Sequence, residues 1–389
     1  MKIEKRHIGW LLSGMLMLLL MAGCTSSSTD EESQKPKEKP VLKIYLFAPE
    51  SPIVTRATIG NVSASDAEKA IHTIDVWVFE HEAPNKKVSY IHLDDVSFTG
   101  QKEIAMDISD KFADLPKKPN VDIYVIANKE SCGLTSLSET TTLAELKEVC
   151  IHNASFGVNP LTKSVPDTGL PMSGLLENQI VSGIPPVYTA MTHNVKLVRA
   201  VSKIRFVFSK SSANPPEISN LDISLKANML PTQEYIFLDD VYPDAKIRIG
   251  TDYVADAATL VSGVNSDAID DCENPASYAY TSETGQAYET KINNGLTDPD
   301  DDGPETPDLT QIGLFYFRES DKKLEGTISY TVGSTPKSAD FMMASAGDFT
   351  RNHTWIVYGY FLGSGELKLN VVDVKGWTED TGNPTVYNW

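Results

Sequence analysis

The chain has 389 residues, of which 22% are charged and 41% hydrophobic. This composition excludes a disordered protein, and the length predicts two cores of ordinary domain size. The formal net charge of -19 argues against a nucleic-acid partner, because a phosphate-binding surface needs a basic stripe that the sequence does not show; the charge confers solubility without naming a ligand.

The chain opens with Lys2, Lys5 and Arg6, followed by the apolar run "IGWLLSGMLMLLLMAGC". A basic n-region before such a run is a secretion signal, and the run is shorter than the roughly 20 residues of a membrane-spanning helix. "LMAGC" resembles a bacterial lipobox, so residues 1–23 are expected to be a lipoprotein signal peptide and Cys24 the lipidation site. A plain signal peptide is the competing reading. Residues 24–40, "CTSSSTDEESQKPKEKP", hold no apolar residue after the cysteine and are expected to form a flexible linker. The acidic "DEES" is either ordinary linker polarity or a short signal of the kind that sends some lipoproteins to the cell surface.

Strand signals dominate the chain from residue 41 onward: "VLKIYLF" (41–47), "IDVWVF" (74–79), "VDIYVIA" (121–127), "KIRFVFS" (203–209), "LDISLKA" (221–227), "GLFYFRE" (313–319), "GTISYTV" (326–332), "TWIVYGYF" (354–361) and "LKLNVVDV" (367–374). They are rich in β-branched and aromatic residues and are bounded by Gly, Pro, Asn and Asp. In the first of them Leu42, Ile44 and Leu46 alternate with Val41, Lys43, Tyr45 and Phe47 and form a buried face. Two short helices have capping boxes, Ser65 with Glu68 and Thr142 with Glu145. Regular strand-helix-strand crossovers are absent from the pattern, so antiparallel sandwiches are expected. Pro185 and Pro186 interrupt pairing, which puts an N-terminal domain at 41–189 and a C-terminal domain at 190–389.

No nucleophile-base set, phosphate-cradling loop or dinucleotide fingerprint is legible, so no catalytic residue and no cofactor are expected. The histidines His72, His81 and His92 do not have metal-ligand spacing. Cys132 and Cys150 either pair, as export permits, or are isolated small core residues. Asp298, Asp300 and Asp302 before Gly303 match the opening of a calcium loop, but Leu309 stands where a bidentate Glu belongs. A solvated acidic loop is the favoured reading of that stretch. Asp239 and Asp240 read as a loop turn, and Trp355, Tyr358, Tyr360, Phe361 and Trp377 as core or cross-strand partners rather than a sugar platform.

The ordered set of "VTRATIG", "AIHTIDVWVFE", "VDIYVIANKE", "LPMSG", "VKLVRAVSKIRFVF" and "DFTRNHTWIVYGYFLGSGELKLNVVDVKGW" after the lipobox resembles the fimbrillin family, subunits of Bacteroidales type V pili. The resemblance implies two transthyretin-like antiparallel β-sandwich domains and no enzymatic activity. It implies an outer-membrane lipoprotein precursor anchored by palmitate-type acylation, then a cell-surface fimbrium that supports adhesion. It also implies cleavage by an arginine-specific protease after Arg56, which makes Ala57 the new terminus and releases the strand carrying Leu42, Ile44 and Leu46. The implied partners are other pilus subunits, one of which refills the groove with a strand. Either "LKLNVVDV" or the tail "TGNPTVYNW" is the donor candidate. The alternative is a monomeric surface lipoprotein that binds glycans or host ligands and keeps its first strand.

Overall fold

Alternation of inward and outward side chains makes a β-strand stable only where a second layer covers its apolar face. The computed structural model describes residues 41–48, 66–98, 100–108, 120–152, 161–162, 164–180, 191–239, 246–272, 310–344, 349–374 and 385–388. All of these fall in one compact unit that spans Lys39–Trp389.

The first sheet has three strands: β1 (Val41–Phe47) lies between β4 (Gln101–Asp107) and β9 (Met191–Lys196). Facing it is an antiparallel sheet in the order β10 (Val198–Arg199), β8 (Met172–Gln179), β5 (Val121–Ala127), β2 (Ile74–Glu80), β3 (Lys87–Leu93). Leu42, Ile44 and Leu46 meet Val76, Val78 and Ile123 in the core between them.

The third sheet runs β21 (Thr385–Asn388), β20 (Leu367–Val374), β19 (Thr354–Phe361), β11 (Ser202–Ser211), β16 (Thr310–Phe317), β7 (Leu161–Thr162), with β15 (Asp271–Cys272) also against β11. Its partner runs β14 (Ala258–Val264), β12 (Ile218–Leu225), β17 (Leu324–Val332), β18 (Thr335–Met343). Phe206, Phe208, Ile223, Phe341 and Trp355 fill the core between them. A third cluster covers the outer face of the five-stranded sheet, where Trp77 and Tyr124 pack with Leu143 and Leu146 of α2 (Leu143–Lys147). Ile151, from the small ladder of β6 (Cys150–His152) and β13 (Gln233–Tyr235), joins them.

The expectation of a mostly β, sandwich-built chain is borne out, with two refinements. β1 pairs β9 in parallel, and β11 pairs both β19 and β15 in parallel, so two of the sheets are mixed. The first core also extends past residue 190: β9 pairs β1, and Val195 and Leu197 sit in that core. Pro185 and Pro186 lie outside the described residues, and the layer they were expected to end continues beyond them. Further along, β7 pairs β16 and β6 pairs β13, so the two expected sequence blocks interleave.

The Thr142 capping box is formed: the Thr142 side chain accepts from the Glu145 amide at 3.2 Å and the Glu145 carboxylate accepts from the Thr142 amide at 2.8 Å. Ser65 lies outside the described residues. Its expected partner Glu68, on α1 (Asp66–Lys69), turns its carboxylate to Lys203 and Tyr316 instead.

Candidate assembly site

β1 is the middle strand of its sheet, and every part of it is committed. Seven residues are in register with β4 on one side and six with β9 on the other. Leu42, Ile44 and Leu46 retain 1%, 0% and 0% of their exposure. Burying three such side chains is worth about 5–9 kcal/mol, on the scale of the whole stability of an ordinary domain. On the outer face, Glu103 accepts from the Tyr45 hydroxyl at 2.6 Å and pairs with Lys43 at 3.1 Å. The two donors hold the Glu103 carboxyl below the usual carboxylate range. Without β1, the facing edges of β4 and β9 would lose their ladder and a strand-length apolar slot would open.

The slot wall opposite β4 is β9, and its inner face carries His193 and Val195 beside Ile44 and Leu46. β9 comes close to β8 at Gly174, the last residue of "LPMSG". A Cβ there would lie 2.5 Å from Val195 Cγ1 and 2.8 Å from the Lys196 carbonyl oxygen. This crowding is the physical reason for glycine in that motif.

The segment from Asp66 onward is tied down by buried polar groups. Lys203 Nζ lies 3.0 Å from the Glu68 carboxylate, which also accepts from the Tyr316 hydroxyl, and Arg199 Nε donates to the Glu68 carbonyl at 3.2 Å. Burial and the Glu68 charge push the Tyr316 phenol upward, so it stays a donor. Asn128 accepts from the His72 amide at 2.8 Å and donates to the Ala70 and Leu170 carbonyls at 2.9 Å each. Glu130 accepts from the Thr73 hydroxyl at 2.6 Å, and Lys129 pairs with the buried Asp75 at 2.8 Å. A second network centres on Arg351, which pairs with Glu319 at 2.7 Å and Glu234 at 2.9 Å and donates to the Tyr235 and Ile236 carbonyls. Burial pushes the Glu234 carboxyl up to about 8, against the pull of Arg351.

Lys129, Glu130, Arg199, Lys203 and Arg351 stand in the motif stretches themselves, "VIANKE", "VRAVSK" and "TRNHTW". The legible signal was a charge embedded in an apolar strand; its partner, tens to hundreds of residues away, was not legible.

Cys24, Arg56 and Ala57 lie outside the described residues, as do Asp298, Asp300 and Asp302. Cys132 and Cys150 are both buried free thiols, with Cys132 Sγ donating to the Lys129 carbonyl at 3.3 Å and Cys150 Sγ to the Glu148 carbonyl at 3.5 Å. Burial pushes Cys132 up to about 12 and raises Cys150, so both stay protonated and inert at neutral pH. Among the described residues no group of three His, Cys, Asp or Glu could hold a metal ion. His81 is within 2.7 Å of Asp122, and His92 is within 3.0 Å of Asp75, so both imidazoles serve carboxylates. Trp355 and Phe361 are core residues, and Asp239 is an exposed loop carboxylate 3.5 Å from Arg248.

Residues 25–199 match the profile of the family described as major fimbrial subunit protein (FimA). No curated protein matches the chain. Among solved structures, a candidate cell-adhesion protein from Parabacteroides distasonis is 15% identical. The match covers 89% of this chain and 100% of that one, with a TM-score of 0.50. The tip fimbrial protein Mfa3 from Porphyromonas gingivalis, with a C-terminal truncation, is 13% identical over 90% of this chain and 100% of that one, with a TM-score of 0.46. The fimbrial anchor protein Mfa2 of the same organism is 9% identical over 85% and 97%, with a TM-score of 0.37. The profile match ends at Arg199, in the stretch where the chain leaves the first core for the second.

Proposed function

We propose that the chain, whose residues 25–199 match the major fimbrial subunit family, is a structural pilus subunit of fimbrillin type assembled by strand replacement. It is exported as a lipoprotein precursor tethered to the outer membrane through Cys24. An arginine-specific protease cuts after Arg56, β1 leaves with the lipid, and a strand from a neighbouring subunit takes its place on the growing surface fimbrium, which supports adhesion. The observation that carries this reading is the position of β1. It is a central strand with a fully buried apolar face, joined to the rest of the chain through the stretch that contains Arg56.

Two further features support it. The residues after that stretch are held by Asn128, Glu130, Lys203 and Tyr316, none of which pairs with β1. A cut at Arg56 would therefore sever the strand's covalent link while those groups still hold the chain from Asp66 onward. The tail strand β21 lies at the edge of its sheet and is in register with β20 over four residues only, so little pairing opposes its detachment.

The test is the mass and N-terminal sequence of the protein recovered from cells. A chain that begins at Ala57, and Arg56→Ala protein that folds but forms no SDS-resistant ladder, are the expected results. A chain that always begins at acylated Cys24 would identify instead a monomeric surface lipoprotein that binds glycans or host ligands.

A further inference from the structure

His193 sits on the inner face of β9, directly in register with Ile44 of β1, and keeps 7% of its exposure. Its ring donates to the Ile180 carbonyl, while Nε2 is buried with no hydrogen-bond partner. The donating nitrogen is therefore Nδ1, and the neutral ring holds a bare acceptor lone pair at Nε2. Ile44 is flanked by His193 on one side and Ile104 on the other. The resident strand thus places a side chain with nothing to donate beside a buried acceptor, and an unmet buried acceptor counts against the strand that leaves it unmet. At the neighbouring position Leu46 faces Val195, an apolar match.

We infer that His193 selects the strand the slot accepts: an incoming subunit strand carries a hydrogen-bond donor, the hydroxyl of Thr or Ser or the amide of Asn, where Ile44 now stands. Apolar residues occupy the positions of Leu42 and Leu46 in that strand. The inference rests on the strand-replacement reading. It adds a direction to it, because the resident strand is a poorer match to its own slot than the strand that replaces it. A polar residue in the middle of an apolar alternation also fixes register, since a slip by two residues would bury the donor against Val195.

Two measurements test this. In the intact chain, Ile44→Thr, Ile44→Asn and Leu46→Thr are compared by thermal unfolding, each alone and combined with His193→Leu. At least one polar residue at 44 should lower the midpoint less than Thr at 46, and His193→Leu should abolish that advantage. Equal losses in both backgrounds overturn the inference. This comparison needs no cleavage, so it judges the histidine apart from strand release.

In the second measurement, protein cut after Arg56 and stripped of its first strand is offered the peptide VLKIYLF or the same peptide with Thr or Asn in place of Ile44. The better polar peptide should bind about tenfold tighter, and His193→Leu should reverse the order. Preference for the Ile peptide in both backgrounds overturns the inference. Failure of every peptide to bind overturns strand replacement and the selecting role with it, whatever the intact-chain comparison shows.

Discussion

Replacing Arg351 by Met would strand the Glu319 carboxylate and leave the Glu234 carboxyl without its cationic partner, both almost fully buried around it. Breaking a buried pair from one side costs about 3–5 kcal/mol, so the unfolding midpoint of Arg351→Met should fall steeply. Glu234→Gln should cost far less, because burial already favours the neutral form of that carboxyl. A thermal melt of each variant checks the asymmetry. His193 supplies a pH dependence: an ordinary imidazole titrates at 6.5, and burial holds this one lower. The unfolded chain then takes up the proton first, so the contribution is intact above 6.5 and is lost as pH falls below it. Urea midpoints at about pH 7.5 and about pH 5.5 should differ less in His193→Leu than in the native chain. Neither residue was legible as special. Arg351 was visible as part of a motif, but His193 reads in "MTHNVK" as one more polar residue, since its burial comes from a register with β1 that no local pattern records.

Among the elements, β11 and β19 show how side-chain size sets a parallel pairing. Phe208 faces Gly359 directly across the ladder, and a Cβ at that glycine would run into the phenyl ring. Gly359→Ala should therefore destabilise by about 1–3 kcal/mol, as overpacked cores do, and a denaturant titration with an unchanged slope would show it. β1, β5, β19 and β20 were legible to the residue because each is a dense run of β-branched, aliphatic and aromatic residues bounded by turn residues. The strands β3, β4, β9, β14 and β18 were not among those read from the pattern. β18, "TPKSADFMM", is a sheet edge with most of its residues at least partly exposed, and β9 places a histidine where an apolar residue marks a strand. The parallel pairings escaped for a different reason: orientation depends on where the chain returns, which composition does not encode.

At the scale of the molecule, the sandwich architecture and the buried face of the first strand followed from periodicity. The way the two halves of the sequence interlock did not. β7 and β6 reach across to β16 and β13, and the Glu68 and Arg351 networks join residues more than a hundred positions apart in the chain. These contacts also bear on the tail. Truncation after Trp377 removes β21, an edge strand, and none of the described residues of the two sandwich cores. The truncated protein should melt within a few degrees of the full chain yet form no ladders; normal ladders would place the donated strand elsewhere.

The ladder around β1 has a mechanical side as well. Its hydrogen bonds run across the strand to both neighbours, seven positions in register on one side and six on the other. A pull along the strand axis meets them all in shear at once, whereas a pull from one end across the sheet peels them singly. A strand seated in that slot is weak to a lateral tug and strong under axial tension, which are the two properties that the proposed strand replacement would need.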